Sequence, residues 1–173
     1  MKIGAGNYIG VDDMIFVTVG THEQPFDRLV KYMDDWAGEH DEEVIMQTGF
    51  SEYAPQNCKW QKFYNHDWLI SLLGNARIVI SHGGPSSFFP VIELGKTVIV
   101  VPRQYEKGEH VNDHQVEFCG ELVKRGGNLI VIENIEDLDD AIAKYDELKM
   151  TGQFSSNNER FCEVFGKIVA ELI

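Results

Sequence analysis

The β-branched run Arg77-Ile78-Val79-Ile80 passes through Ser81-His82-Gly83-Gly84-Pro85-Ser86-Ser87 into an apolar stretch ending at Leu94. The run reads as a buried strand and the stretch as a helix, so the join is a tight strand-to-helix turn. Adjacent glycines let backbone N–H groups approach a bound group closely. A helix N-terminus adds unpaired donors and the positive end of its dipole. The join therefore reads as an anion site suited to a nucleotide or sugar phosphate. An N-cap serine accounts for one hydroxyl on its own; two glycines with both Ser86 and Ser87 exceed what a turn requires.

The same alternation recurs along the chain. The strand Met14-Ile15-Phe16-Val17-Thr18-Val19 ends at Gly20-Thr21, and Pro25 opens a helix with Phe26, Leu29, Val30, Met33 and Ala37 at a 3.6-residue period. Further strands are expected over 43–47 (ending at Thr48-Gly49), 59–64, 97–101 (ended by Pro102) and 129–132. Helices are expected over 67–73, 112–125, 135–145 and 157–173. Strands alternating with helices predict a parallel sheet covered on both faces, an α/β, doubly wound, Rossmann-like fold. Such folds bind ligands at the carboxyl ends of strands, near a switch in strand order. Residues 1–13 read as a flexible leader carrying Gly4, Gly6 and Gly10, and 14–173 as a single domain. Its last helix carries the stripe Phe161, Phe165, Ile168, Val169 and Leu172, part of which packs on its own domain. The remainder is expected to dock a partner subunit or a second copy, making a homo-oligomer.

Composition removes several function classes. A formal net charge of -13 argues against a nucleic-acid backbone as partner, since such binding rests on clustered Lys and Arg. Cys58, Cys119 and Cys162 form no CxxC pair, which leaves idle thiols in a reducing cytosol. No apolar run approaches the ~20 residues of a membrane span, and the start of the chain lacks the basic and apolar regions of a signal peptide. The expected location is cytoplasmic, with any membrane association peripheral and through a partner.

The polar loops at strand ends hold the candidate site. Gly20-Thr21-His22, Thr48-Gly49 and the His82 loop each follow a strand. The chain has neither GxGxxG nor GxxxxGK[ST], so neither a dinucleotide fingerprint nor a P-loop is supported. The segment from Arg103 to Gln115 concentrates Arg103, His110, Asn112, Asp113, His114 and Gln115, side chains that suit the hydroxyls of a sugar. His110 and His114 are four apart without a Glu-x-x-His partner, so no metal is expected. His66 reads as flanking its helix.

Four strings carry a family resemblance: Phe16-Val17-Thr18-Val19-Gly20-Thr21, Ile80-Ser81-His82-Gly83-Gly84-Pro85, Val100-Val101-Pro102-Arg103 and Gly108-Glu109-His110-Val111-Asn112-Asp113-His114-Gln115. Together they resemble the C-terminal, donor-binding half of GT-B glycosyltransferases of family 28, which includes the lipid-II-forming peptidoglycan enzyme. The match is to free-standing versions of that half. One is a eukaryotic subunit that adds the second GlcNAc to a dolichol-linked carrier. The other is a bacterial subunit of exopolysaccharide and capsule β-1,4-galactosyltransferases, to which the Gly108–Gln115 string points.

The resemblance implies roles by position. Gly20-Thr21-His22 would sit by the donor diphosphate, Phe63-Tyr64 would cap the uracil, Gly83 to Ser87 would cradle phosphates or ribose, and His114-Gln115 would meet the donor sugar. Pro90 stands where the larger family has a glutamate that holds the ribose hydroxyls. The implied reaction is inverting transfer of a sugar, galactose favoured, from a UDP-sugar to a lipid-linked acceptor. No cofactor is implied beyond the UDP-sugar itself. With no DxD-like metal motif near the loops, the leaving charge falls to helix dipoles, loop N–H groups and Arg103. The acceptor half, and with it the base, is expected from a membrane-associated partner subunit at the inner face of the plasma membrane, with His22 the candidate base on this chain. The alternative is a non-catalytic nucleotide-sugar-binding module that regulates another transferase.

Overall fold

The computed structural model describes residues 14–149. The leader and the C-terminal helix expected from the sequence lie outside them. Six strands, β1 (Met14–Thr18), β2 (Glu43–Gln47), β3 (Lys59–Gln61), β4 (Ile78–His82), β5 (Val98–Val101) and β6 (Leu129–Val131), form one sheet in the order β3-β2-β1-β4-β5-β6. Every pairing is parallel. The helices are α1 (Asp27–Glu39), α2 (His66–Asn75), α3 (Pro85–Glu93), α4 (His114–Lys124), α5 (Leu138–Ala143) and α6 (Tyr145–Leu148). The doubly wound, Rossmann-like parallel sheet expected from the sequence is present, and its strand order switches between β1 and β4.

The alternation of side chains across β1 builds two cores. Ile15, Val17 and Val19 pack with Leu29, Val30 and Met33 of α1 and with Leu138 and Ile142 of α5. Phe16 points to the other face, with Leu72 and Leu73 of α2, Phe88 and Val91 of α3 and Cys119 of α4. Strands covered on both faces need apolar side chains at successive positions, which is why β1, β4 and β5 read as continuous apolar runs.

Element boundaries move for local reasons. β3 stops at Gln61 rather than continuing to 64, and Asn65 accepts the Trp68 N–H to cap α2, of which His66 is the first residue. α3 starts at Pro85, a residue suited to the first helical position because it has no N–H to leave unpaired. The helix expected from 135 breaks into a 3-10 turn, α5 and α6, while the Tyr145 hydroxyl ties it to the sheet by donating to the Thr97 carbonyl at 2.6 Å.

The apolar face of α1 also buries an acid, Asp34, which is 0% exposed. Its carboxylate accepts the N–H groups of Gln56 and Asn57 at 2.8–2.9 Å and the Tyr53 hydroxyl at 2.8 Å. Burial alone would raise its pKa; these donors outweigh burial and hold it below the usual carboxylate value. The carboxylate thereby fixes the chain between β2 and β3. Burial, reinforced by that carboxylate, pushes the nearby Cys58 thiol up to about 12. Asp34→Ala is expected to lower unfolding free energy by about 3 kcal/mol in urea denaturation, because it strands buried donors; a loss within about 0.5 kcal/mol, the range of an ordinary surface substitution, would contradict this role.

Candidate active site

A cleft of about 770 Å³ opens at the carboxyl ends of β1 and β4, where the strand order switches. Its walls are the loop after β1 (Gly20, Thr21, His22, Glu23), Gln47 of β2, the first turns of α2, the join into α3, and Gln115 of α4. Ser86, Ser87 and Pro90 of α3 line it from one side. Thr18 and Gln47 brace the floor: Gln47 Nε2 donates to Thr18 Oγ1, which also accepts the Gly20 N–H, both at 3.2 Å.

The glycines around the cleft make room for one imidazole. A Cβ on Gly84 would lie 2.3 Å from His82 Nε2, and a Cβ on Gly20 would lie 2.3 Å from His82 Cε1. Gly20 also has φ +73°, a conformation that side chains disfavour. Gly84 has φ −82°, open to any residue, so only contact with His82 demands a glycine there. His82 is 6% exposed, and its Nδ1 has no hydrogen-bond partner. Burial first, then the Arg103 charge, brings its pKa down to about 3, so the ring is neutral at neutral pH.

Arg103 departs from its expected place at the phosphates. It is fully buried behind the cleft wall. Its Nη1 donates to the carbonyls of Gln24, Pro25 and Glu109 at 2.9–3.2 Å, and its Nη2 donates to that of Val19 at 3.1 Å. The guanidinium also stacks over Phe26, 4.7 Å from the ring centroid. A cation committed to these carbonyls ties the loop after β1 to the loop after β5. Arg28 was not legible as a site residue. It makes a bidentate pair with Glu109 at 2.7 and 2.9 Å and donates to the Pro102 carbonyl. No signal along the sequence pairs residues 81 positions apart.

The other expected residues separate into lining and supporting groups. His110, His114 and Pro85 line a second groove of about 560 Å³, which shares Gly84 and Gln115 with the cleft and adds Phe118, Glu117 and Glu121. Gln115 Oε1 accepts the Arg103 N–H at 3.1 Å, and its side chain packs against Gly83, which lines neither space. Asn112 accepts the His114 N–H and Asp113 the Tyr105 N–H, so both brace their own loop. Thr48 and Gly49 stand behind Gly20 and are held by the β3 end through the Gln61 and Lys62 carbonyls. Phe63 pairs edge-to-face with Phe50 at 5.3 Å, and Tyr64 packs edge-on to Phe16; neither lines the cleft. Pro90 does line it, and as a proline it offers no N–H to the Ser86 carbonyl one turn back.

His22 lines the cleft with Nδ1 accepting the Gln24 N–H at 3.2 Å. Burial, then the charges of Arg103 and His110, lower its pKa. Among the described residues, no group of three His, Cys, Asp or Glu side chains is placed to hold a metal ion. Nor is any helix among them long and apolar enough to cross a membrane.

A doubly wound domain with a polar cleft at the β1/β4 switch is an architecture that binds ligands at the carboxyl ends of its strands. The chain belongs to the glycosyltransferase family 28 C-terminal domain, whose family model matches residues 14–171. It is 30% identical over 125 residues to the mouse (Mus musculus) UDP-N-acetylglucosamine transferase subunit ALG13, an alignment covering 64% of this chain and 10% of that protein. In structure it is similar to a kitacinnamycin glycotransferase, with TM-score 0.60 and 17% identity over 83% of this chain and 38% of that one. It is also similar to Acinetobacter baumannii MurG, with TM-score 0.54 and 16% identity over 80% of this chain and 43% of that one. The chain thus spans less than half of each of these proteins and corresponds in fold to one half of a GT-B glycosyltransferase.

Two outcomes test the packing around His82. Gly84→Ala is expected to cost about 2 kcal/mol of stability through overpacking, and most of that cost should vanish in a His82→Ala background; an unchanged cost there would refute the contact. An unfolded histidine takes up a proton near 6.5, whereas folded His82 resists until about 3. Its contribution is therefore complete above pH 6.5 and is lost as the pH falls toward 3. Between pH 6 and 4 the protein should lose up to about 1.4 kcal/mol per pH unit more than His82→Gln does, the worth of one proton. Parallel curves for the two proteins in pH-dependent denaturation would refute it.

Proposed function

We propose that this chain is the donor-binding, catalytic subunit of an inverting glycosyltransferase that uses a UDP-sugar. The observation that carries the reading is the switch-point cleft. Its walls combine a strand-to-helix glycine join, two serines at the start of α3, and the loop Gly20-Thr21-His22. Those groups suit a diphosphate through backbone dipoles and hydroxyls, and the cleft's volume falls in the range of small-molecule sites.

Two donors compete. The Gly108–Gln115 string favours galactose in exopolysaccharide or capsule synthesis, whereas the name of the mouse relative gives N-acetylglucosamine. The acceptor is proposed to be lipid-linked and presented by a membrane-associated partner subunit. That partner would hold this chain at the cytoplasmic face of the plasma membrane. A partner agrees with a chain that matches one half of a GT-B enzyme and with a relative that is itself named a subunit.

Calorimetric titration with UDP, UDP-galactose, UDP-glucose and UDP-N-acetylglucosamine tests the reading. UDP and one UDP-sugar are expected to bind, and Gly84→Ala should weaken both by about tenfold or more through the displaced His82 loop, a loss of about 1.4 kcal/mol. Absence of binding by all four would refute the donor site.

A further inference from the structure

His22 and His110 face each other where the cleft meets the second groove, with ring centroids 5.2 Å apart and planes inclined by 43°. Each ring has a backbone partner with only one hydrogen-bonding sense. The Gln24 N–H can only donate, so His22 Nδ1 holds a lone pair and the neutral ring carries its proton on Nε2. The Asn112 carbonyl can only accept, so His110 Nδ1, 3.1 Å away, carries the proton, and Nε2 of the neutral ring keeps a lone pair. Asn112 Oδ1, 3.0 Å from the same Nδ1, is a second acceptor. Two neighbouring imidazoles are thereby set in opposite tautomers: His22 offers a donor to the cleft, and His110 offers an acceptor beside the groove.

Resting on the donor-site reading above, we propose that His110 is the general base of the transfer and that His22 hydrogen-bonds the departing diphosphate. The acceptor hydroxyl oxygen forms a bond to the anomeric carbon as the bond from that carbon to the UDP oxygen breaks. The pair of electrons in that bond leaves with UDP, and the hydroxyl proton moves to His110 Nε2. The imidazolium so formed keeps its Nδ1–H on the Asn112 carbonyl, the orienting contact a base needs. The proton passes to water when product leaves. Neutral His22 donates Nε2–H to a phosphate oxygen, which gains charge as the bond breaks. This assignment reverses the role that the sequence suggests for His22: with Nδ1 occupied and Nε2 protonated, it has no lone pair to offer. It also places the base on this chain instead of on the partner.

The loop carrying His110 is anchored for this task. Glu109, its neighbour, is 6% exposed and clamped by Arg28, and the Glu109 carbonyl takes Arg103 Nη1. Arg28, Glu109 and Arg103 act here as positioning residues, since none of them lines either space.

Nitrogen-15 correlation spectra of the protein with labelled imidazoles test the tautomers without any ligand. The expected result is His110 protonated on Nδ1 and His22 on Nε2; His110 protonated on Nε2 overturns the proposal. His110→Asn keeps a side-chain N–H for the Asn112 carbonyl but removes the base. It should leave UDP affinity within about twofold and reduce sugar transfer by the enzyme reconstituted with its partner at least about 100-fold. His22→Asn keeps an acceptor for the Gln24 N–H and should weaken both UDP affinity and transfer. Wild-type transfer by His110→Asn overturns the base assignment. A wild-type protein that binds no uridine nucleotide overturns the donor-site reading, an outcome that the ligand-free spectra and the UDP titration keep separate from failure of the tautomer assignment.

Discussion

The buried guanidinium of Arg103 is the interaction on which the site depends. Burial pulls its pKa down to about 10, with Glu109 opposing, so it stays charged at neutral pH. A fully buried cation is tolerable only when polar partners replace its water. Here the partners are four carbonyls drawn from two loops, with the Phe26 ring as a lid. Because those carbonyls belong to the loop after β1 and the loop after β5, pairing the two terminal nitrogens of the guanidinium fixes the two loops relative to each other. The facing of His22 and His110 follows from that constraint. The Arg28–Glu109 pair repeats it from α1.

The lowering of the His82 and His22 pKa values has one origin in this arrangement. Burial is the larger cause for both, and the Arg103 charge is the second. A positive charge held close behind a wall disfavours further positive charge in front of it. The imidazoles are therefore kept neutral, each with one donor and one acceptor nitrogen, and tautomer becomes the variable that defines chemistry.

Much of the fold was legible because parallel strands buried on both faces need apolar residues at successive positions, and Met14 to Val17, Ile78 to Ile80 and Val98 to Val101 supply them. The glycine join was legible as a tight turn, and the structure supplies a further reason for Gly84: the His82 ring lies against it. What the sequence concealed is long-range pairing. Arg103 reads as a phosphate ligand because a lone arginine after a strand end has no visible partner. Its actual partners, Val19, Gln24 and Pro25, lie some eighty residues back. Asp34 was hidden for a different reason, since an acid within a helical apolar stripe reads as an exposed neighbour until a loop folds its N–H groups onto it.

The charge of the chain gains a local meaning. A net charge of -13 would repel a diphosphate if it acted uniformly. Charges farther away than the Debye length, ~8 Å at physiological salt, are largely screened, so the field inside the cleft depends on what lies next to it. Next to it lie one acid, Glu23, and no lysine or arginine, among the described residues that line the cleft. An anion there would meet hydroxyls, a helix start and the neutral imidazoles of His22 and His82, with Arg103 behind the wall. Such a site would hold a phosphate by oriented dipoles rather than by ion pairs. It would bind by geometry, and the geometry is what the buried arginine sets.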